Sequence, residues 1–330
     1  MPKAVLEASV IIPAYNSAST IGDCIKALAE QDFARRDFEI IVVDDGSKDG
    51  TGKISRAAGA KVISQDNAGP AKARNRGAKS ASGEILVFTD ADCVPQKNWL
   101  REMLEPFKSM EIAGVQGAYK TRQKSLTARF GQIEIEERYE RMKKRAQSLD
   151  WIGSYSAAYR KKDFFEAGGF DESFPKASGE DPELSYKMQK SGKKLVFNQD
   201  AIVYHTHPDT MWKYLRTKYY RAFYRVNLYS KHKDKIASDS YTPGDLKLQV
   251  FMAFAGTGAF IAGFAFSQPV LLAASLALGV VGFLSTYRLT LFALKKDFWA
   301  GLFSIPLIQL RNSAFMLGLI AGFVKHKVLK

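Results

Sequence analysis

The sequence predicts an α/β fold built on a mostly parallel sheet flanked by helices, followed by transmembrane helices at the C-terminal end. Two observations lead to this prediction. Through the first half of the chain, short apolar strands alternate with helical stretches, which is the pattern of β–α–β crossovers and of a parallel sheet. In the last third, uncharged runs reach the length that crosses a bilayer.

The predicted strands end in polar clusters. "ASVIIPAY", "FEIIVVDD" and "EILVFTD" are predicted to be strands, and the chain continues from them into Asn16, Asp45 and the pair Asp90 and Asp92. A shorter strand, "AKVIS", lies between the second and third of these. Because ligands of such sheets bind beyond the carboxyl ends of the strands, we expect the three clusters at one edge.

Two carboxylates separated by one residue close the strand "EILVFTD". Side chains at i and i+2 of an extended chain point the same way, so Asp90 and Asp92 repel each other unless a cation lies near them. Oxygen ligands suit Mg²⁺ or Mn²⁺, which complete their shells with water and substrate phosphate. The pattern therefore predicts a divalent metal site. The alternative is a solvated turn with helix-capping aspartates.

The charge of the chain indicates which ligands it binds, and its cysteine content indicates its cellular compartment. The formal net charge of +14 suits an anionic partner, such as a phosphorylated substrate, a membrane surface or nucleic acid. Lys72, Arg74 and Arg76 fall in the early turns of a helix that starts near Pro70, where backbone N–H groups also favour an anion. They indicate phosphate binding, with a solvated basic face as the alternative. The two cysteines show no metal-like spacing, and a reducing compartment is expected.

Several longer motifs together resemble a known family. "VIIPAYNSASTIGDCIKAL", "IIVVDDGSKDGT", "NAGPAKARNRG" and "FTDADC" occur in an order and at spacings similar to those of the inverting family 2 glycosyltransferases. The resemblance continues through "GSYSAAYRKKDFFEAGGFDESF" and "GEDPELSYKMQKSGKKLVF" and covers roughly the first 205 residues. It implies a GT-A (Rossmann-like) fold, a UDP- or GDP-sugar donor and Mn²⁺ or Mg²⁺.

The resemblance also implies roles for individual residues. The nucleotide-sugar would be bound by Pro13, Tyr15, Asp45, Arg74 and Asp90. Asp92 would be the direct metal ligand. His205 or His207 would complete the metal shell or meet the diphosphate, and the sequence leaves open which of them does so.

A second carboxylate cluster, "GEDPEL", supplies the expected catalytic base. Sugar transfer with inversion needs a base within hydrogen-bond distance of the acceptor hydroxyl. By the resemblance, Asp181 is this base, and Glu180 and Gly153 bind the acceptor. The alternative is that these acids only charge the first turn of a helix with Pro182 at its start.

The motifs also separate related functions. No tryptophan lies in the Gln-x-x-Arg-Trp context of processive synthases, so a processive enzyme is disfavoured. A polyprenyl-phosphate sugar transferase stays an alternative, although a phosphate acceptor is already an anion and needs no Gly-Glu-Asp base. Two alternatives belong to other classes of protein. One is a catalytically dead scaffold, against which the intact carboxylate clusters argue, and the other is a membrane-tethered nucleic-acid-binding protein. The latter would use the aromatic and basic stretch from Met211 to Lys233.

The last third is predicted to enter the membrane. Leu248–Phe266 and Pro269–Tyr287 carry no charge, and Phe298–Val324 is apolar apart from a few residues that include Arg311. These runs predict two to three spans. Arg311 is costly in lipid and is expected to face protein, water or a lipid phosphate.

The region before these spans is expected to lie on the membrane surface. Trp212, Leu215, Tyr219, Phe223 and Val226 form one stripe at helical spacing. We therefore predict a catalytic domain over 1–208, an interfacial helix and linker over 209–247, and a transmembrane region over 248–330. The lysines around 231–235 and at 295–296 favour the cytoplasmic side, so the catalytic domain is expected there. The expected partners include membrane lipids but no nucleic acid.

Overall fold

The computed structural model describes residues 6–144, 149–174, 179–236 and 242–325. The chain divides into two compact units. The first comprises Met1–Arg122 and Arg141–Thr206, and the second comprises Gln123–Glu140 and His207–Lys330. The division after Thr206 lies close to the predicted boundary at 208, whereas residues 123–140 group with the C-terminal part of the chain.

The first unit is built on one sheet, which has eight strands within the described ranges. The strands are β1 (Ala8–Ala14), β2 (Phe38–Asp44), β3 (Lys61–Ser64), β4 (Ile85–Thr89), β5 (Cys93–Pro95), β6 (Ile112–Lys120), β7 (Ser156–Arg160) and β8 (Lys194–His205). Their order is β3-β2-β1-β4-β7-β6-β8-β5. Four neighbouring pairs are parallel, and the pairs β4–β7, β6–β7 and β5–β8 are antiparallel. The predicted mostly parallel α/β fold is confirmed.

The helices alternate with the first strands and then dominate the C-terminal part. They are α1 (Ile21–Ala29), α2 (Thr51–Ala57), α3 (Pro70–Ser80), α4 (Trp99–Leu104), α5 (Leu126–Lys144), α6 (Lys161–Glu166), α7 (Glu180–Lys190), α8 (Met211–Lys231), α9 (Gly244–Ala265), α10 (Pro269–Leu284), α11 (Tyr287–Lys296) and α12 (Phe298–Phe323). Short 3₁₀ segments cover Arg35–Asp37, Glu105–Lys108 and Lys233–Lys235.

Helices cover the sheet closely enough to bury its central strands. β1 and β4 are almost wholly buried, as expected for strands packed on both faces. α3 approaches β1 at Gly77, where an added Cβ would lie 2.4 Å from Cγ2 of Ile11. Because Arg74 also lies on α3, this close packing fixes the position of Arg74 relative to the carboxyl ends of the strands.

In the second unit, three helical segments of the described chain are long and apolar enough to cross a membrane: Gly244–Ala265, Pro269–Lys296 and Phe298–Phe323. α8 packs against α12 at two glycines four residues apart. A Cβ added to Gly318 would lie 2.3 Å from the carbonyl oxygen of Tyr219, and one added to Gly322 would lie 2.4 Å from that of Phe223. α8 thus lies directly against one candidate span.

Charged side chains are buried together in this second unit. Glu134 on α5 accepts a hydrogen bond from Nη1 of Arg311 at 2.7 Å through Oε1. Its Oε2 accepts from Nζ of Lys218 and from the Tyr214 hydroxyl, each at 2.7 Å. Nη2 of Arg311 donates to Oε1 of Gln249 at 2.7 Å. Burial alone would raise the pKa of Glu134, but the two cations lower it to about 2. Arg311 therefore faces protein, one of the three surroundings expected for it.

Candidate active site

The loop after β2 is fixed by a buried carboxylate. Oδ1 of Asp45 accepts from Nε2 of Gln65 at 2.7 Å and from the backbone N–H of Ala68 at 2.9 Å. Its Oδ2 accepts from the backbone N–H of Gly69 at 2.9 Å. These three bonds connect the loop after β2 to the turn that leads into α3. Asp45 thereby fixes the position of that turn at the carboxyl ends of the strands.

The loop after β1 leaves an aromatic ring in solvent. Pro13 lies within β1, and Tyr15 follows it with 52% of its surface exposed. Asn16 adopts a φ of 48°, a left-handed conformation that asparagine tolerates. Its N–H donates to Oγ of Ser47 and its Oδ1 accepts from the N–H of Lys48, both at 2.9 Å. The two loops are tied together, and the Tyr15 ring is free to contact a planar ligand.

One buried guanidinium joins the two carboxylate clusters. Nη2 of Arg74 donates to Oδ1 of Asp90, and Nη1 donates to Oε1 of Glu180, each at 2.9 Å. The guanidinium carbon also lies 5.7 Å from the ring centre of Phe170. Burial opposes the charged form of Arg74, but the surrounding carboxylates, Asp90 first among them, raise its pKa. Arg74 stays charged and brings the strand end and the start of α7 to one place.

Asp181 lies in the first turn of α7, with one carboxylate oxygen hydrogen-bonded and the other unpaired. Oδ2 accepts from the backbone N–H of Ser154 at 3.1 Å. Oδ1 is buried and has no hydrogen-bond partner among the described residues. Burial raises the pKa of Asp181 to about 7, with Glu180 adding to the rise and Arg74 opposing it. A carboxylate of this kind can take up and release a proton near neutral pH.

The segment beside Asp181 is held by a buried glutamine. Oε1 of Gln116 on β6 accepts from the N–H of Gly153, and its Nε2 donates to the carbonyl of Ser156 at 3.2 Å. Gly153 is itself buried, and an added Cβ would lie 2.5 Å from the ring of Tyr155. Gln116 therefore orients the backbone that presents Ser154 to Asp181.

Asp92 lies close to a histidine at the end of β8. Its Oδ2 is 3.5 Å from Nδ1 of His205. The His205 ring stacks on Tyr119 with ring centres 4.5 Å apart, and Tyr119 stacks in turn on Tyr155 at 3.5 Å. An exposed carboxylate beside an oriented imidazole fits a divalent cation that keeps positions open for substrate.

The other candidate histidine lies in the second unit. His207 is buried, and its Nε2 donates to Oε1 of Gln132 at 2.9 Å. Its backbone N–H donates to Oε1 of Gln123 at 2.6 Å. Of the two candidates, His205 is the one that the structure brings next to Asp92.

Residues 9–168 match the family model described as glycosyl transferase family 2. The chain carries a family 2 glycosyltransferase domain. The matched span contains both carboxylates of the Asp-x-Asp pair and Arg74, while Asp181 and His205 lie beyond it.

Curated relatives of this domain are named as glycosyltransferases. The chain is 41% identical over 98 residues to glycosyltransferase AglE of Haloferax volcanii, which covers 28% of this chain and 32% of AglE. It is 29% identical over 226 residues to validoxylamine A glucosyltransferase of Streptomyces hygroscopicus subsp. jinggangensis, covering 58% and 54% of the two chains. The chain thus spans between about a third and about half the length of these relatives.

A solved structure has a similar fold over nearly the whole chain. The mannosyltransferase PcManGT from Pyrobaculum calidifontis, solved in complex with GDP-Man and Mn²⁺, superposes with a TM-score of 0.63 at 18% identity. The match covers 97% of this chain and 88% of that one. It supports the GT-A-like fold predicted from the motifs.

Motifs located most of the polar residues at this edge of the glycosyltransferase domain but not their supports. Gln116 and Tyr119 belong to none of the motifs, and Ser154 and Tyr155 lie in "GSYSAAYRKKDFFEAGGFDESF" with no role assigned to them, so only the fold reveals their contacts. Glu180, expected to bind the acceptor, is fully buried against Arg74. Its role toward the acceptor stays a prediction.

Proposed function

We propose that this chain is a membrane-anchored, metal-dependent, inverting glycosyltransferase. It would move a sugar from a nucleotide-sugar donor to a hydroxyl of a membrane-associated acceptor, a lipid-linked glycan. The observation that supports this most is that Oδ1 of Asp181 is buried without a hydrogen-bond partner among the described residues. The pKa of this carboxyl group, near the buried Arg74, is raised to about 7.

The transfer itself needs one base and one departing group. The acceptor oxygen attacks the anomeric carbon, its proton passes to Oδ1 of Asp181, and the bond between sugar and diphosphate breaks with its electrons on the diphosphate. A base with a pKa near the working pH is best suited to this step. Because the base and the leaving group lie on opposite faces of the sugar, the configuration inverts.

The donor would lie along the strand-end edge. The exposed ring of Tyr15 would pack on the base next to Pro13, and the loop fixed by Asp45 would border the ribose. Arg74 would act on the diphosphate side by holding Asp90 in place, since both of its terminal nitrogens are occupied by carboxylates. The GDP-Man bound to PcManGT supports a nucleotide-sugar donor, which we propose to be a UDP- or GDP-sugar.

Asp92 and His205 would hold the metal, Mn²⁺ or Mg²⁺. Their oxygen and nitrogen atoms lie 3.5 Å apart at the rim of the sheet, and the Mn²⁺ of the PcManGT complex supports the same type of ion here. When bound, such an ion supplies positive charge that stabilises the departing diphosphate. The stack of Tyr119 on His205 keeps the imidazole oriented toward that position.

The acceptor side supports a hydroxyl rather than a phosphate. A phosphate acceptor, as in polyprenyl-phosphate sugar transferases, is already an anion and makes a base at Asp181 dispensable. Gly153 would border the acceptor, and Glu180 would shape this side through its ion pair with Arg74. The three candidate spans support anchoring in the membrane. We propose that the catalytic unit lies on the cytoplasmic side.

The first test measures donor use in membranes. Full-length protein is incubated with UDP- and GDP-sugars, lipid extract, and Mn²⁺ or Mg²⁺. We expect release of one nucleoside diphosphate per sugar transferred and strict dependence on the divalent ion. Asp92→Ala should abolish the effect of Mn²⁺ on nucleoside diphosphate affinity, whereas Asp200→Ala, an exposed aspartate on β8, should leave it unchanged. Equal Mn²⁺ dependence in Asp92→Ala and the parent contradicts the proposed metal site.

The second test concerns the anchor. A chain that ends after Lys235 should lose integral membrane association, while the full-length protein should resist extraction with carbonate. Release of the full-length protein by carbonate contradicts the proposed membrane spans.

A further inference from the structure

A thiol lies against the carboxylate and imidazole described above. Sγ of Cys93 is 3.9 Å from Nδ1 of His205 and 4.0 Å from Oδ1 of Asp92. One ligand atom from each of the three residues lies within 4.8 Å of the other two. In a tetrahedral zinc site, bonds of about 2.0–2.3 Å place neighbouring donors about 3.3–3.8 Å apart. The Sγ–Nδ1 separation is close to this range, and the Asp92 carboxylate, whose side chain is exposed, needs to move by no more than about an ångström to complete such a site.

The backbone brings these donors together in a fixed arrangement. Cys93 and His205 are register partners in the antiparallel pair of β5 and β8, so their side chains lie on the same face. Asp92 directly precedes β5, and the ring of Tyr119 stacks on His205. Sites built on paired strands hold their ligands more exactly than sites on loops.

The three ligands differ in their exposure to solvent. Cys93 is fully buried, whereas the side chains of His205 and Asp92 are 19% and 42% exposed. A cation that enters past Asp92 and His205 meets the thiol as the innermost ligand.

We infer that Asp92, Cys93 and His205 form a three-ligand site for a thiophilic divalent cation, Zn²⁺ or Cd²⁺. A donor set of one sulfur, one nitrogen and one oxygen is suited to zinc and cadmium, whereas Mn²⁺ and Mg²⁺ are hard ions that prefer oxygen. Binding forms a metal–sulfur bond, and the thiol proton leaves to solvent. The spacing of the two cysteines does not indicate this site, because its histidine ligand, His205, lies far along the chain.

The consequence for transfer rests on the proposed function. Mn²⁺ held by the Asp92 carboxylate and a neutral His205 would keep a net positive charge toward the departing diphosphate. A zinc ion with both a carboxylate and a thiolate is formally neutralised, so it stabilises the diphosphate poorly. Zinc should therefore compete with Mn²⁺ and inhibit transfer, and Cys93→Ser should relieve that inhibition.

The binding test uses Cd²⁺ and needs no turnover. Full-length protein in detergent is titrated with Cd²⁺, and the ultraviolet thiolate-to-cadmium charge-transfer band is recorded. We expect one bound ion per chain with this band. Cys24→Ser is the matched control, because Cys24 is the other cysteine of the chain and is also buried. Cys93→Ser and Cys93→Ala should both lose the band, while Cys24→Ser should retain it.

The outcomes separate this inference from the proposed function. Retention of the band in Cys93→Ser, its loss in Cys24→Ser, or its absence from the parent overturns the site. Nucleoside diphosphate binding with Mn²⁺, measured in the same Cys93 variants, shows that they are folded. If the parent forms the band but transfers no sugar, the cation site stands and the proposed function fails.

Discussion

Replacing Glu134 with glutamine should destabilise the second unit strongly. The substitution keeps the shape of the side chain and removes the negative charge that Lys218 and Arg311 share. Two buried cations are then left facing a neutral amide. The hydrogen bond from Tyr214 can survive, because an amide oxygen still accepts it.

The expected size follows from burial. Glu134, Lys218 and Arg311 are all nearly inaccessible to solvent. Removing one partner of a buried ion pair costs about 3–5 kcal/mol, since the remaining charge is uncompensated. Burial lowers the pKa of Lys218 to about 8 even with Glu134 present. Without Glu134 this pKa falls further, so Lys218 can lose its proton, and the cost should be smaller at pH 9 than at pH 6.

Glu136→Gln provides the matched control on the same helix. Glu136 pairs with Lys296 at 3.2 Å, but both side chains are about a third or more exposed. Such surface pairs contribute about 0–1 kcal/mol. The free energy of unfolding is measured by denaturant titration in detergent at both pH values. If Glu134→Gln costs no more than Glu136→Gln at pH 6, the buried network does not stabilise this unit.

Three further experiments test the contact between α8 and α12 and the ionisation of Asp181. Gly322→Leu should separate α8 from α12 and lower stability by several kcal/mol in detergent unfolding, whereas Gly258→Leu on α9, with open space around its Cβ, should change stability little; equal effects would refute the close helix contact. The transfer rate should rise about tenfold per pH unit up to about pH 7 and then level off, because Asp181 must be ionised to act as the base; a flat profile from pH 5 to 8 contradicts this. The pKa of Asp181 is raised on folding, so its stabilising contribution is complete below its ordinary pKa and is lost as pH rises through about 7. Asp181→Asn should therefore be more stable than the parent at pH 8, by at most about 4 kcal/mol, and similar at pH 4; lower stability at pH 8 contradicts the raised pKa.

The elements that the sequence predicted best are those with a strong local signal. β1, β2 and β4 are continuous apolar runs, and α3 begins at Pro70 as its turn chemistry indicates. The three candidate spans follow from their length and their scarcity of charged residues. The antiparallel strands β5 and β7 were not predicted, because such short strands have no distinctive period.

The supports of the site depend on contacts that no local pattern encodes. Arg74 and Glu180 are 106 residues apart in sequence, and their ion pair follows only from the fold. Tyr119 lies 86 residues before His205, and a tyrosine in a buried strand carries no sign of the ring that it stacks on. Residues 123–140 were expected in the catalytic domain, but they group with the second unit because Glu134 there meets cations from two distant helices.

The role of Asp181 is the central claim, and one measurement tests it most directly. Single-turnover transfer at saturating donor is compared between the parent and Asp181→Asn, with nucleoside diphosphate affinity measured in parallel. We predict unchanged affinity and a transfer rate lower by about 10²- to 10⁴-fold, the range that general-base catalysis supplies. A rate within about threefold of the parent would contradict base catalysis at Asp181 and would favour an acceptor that is already an anion.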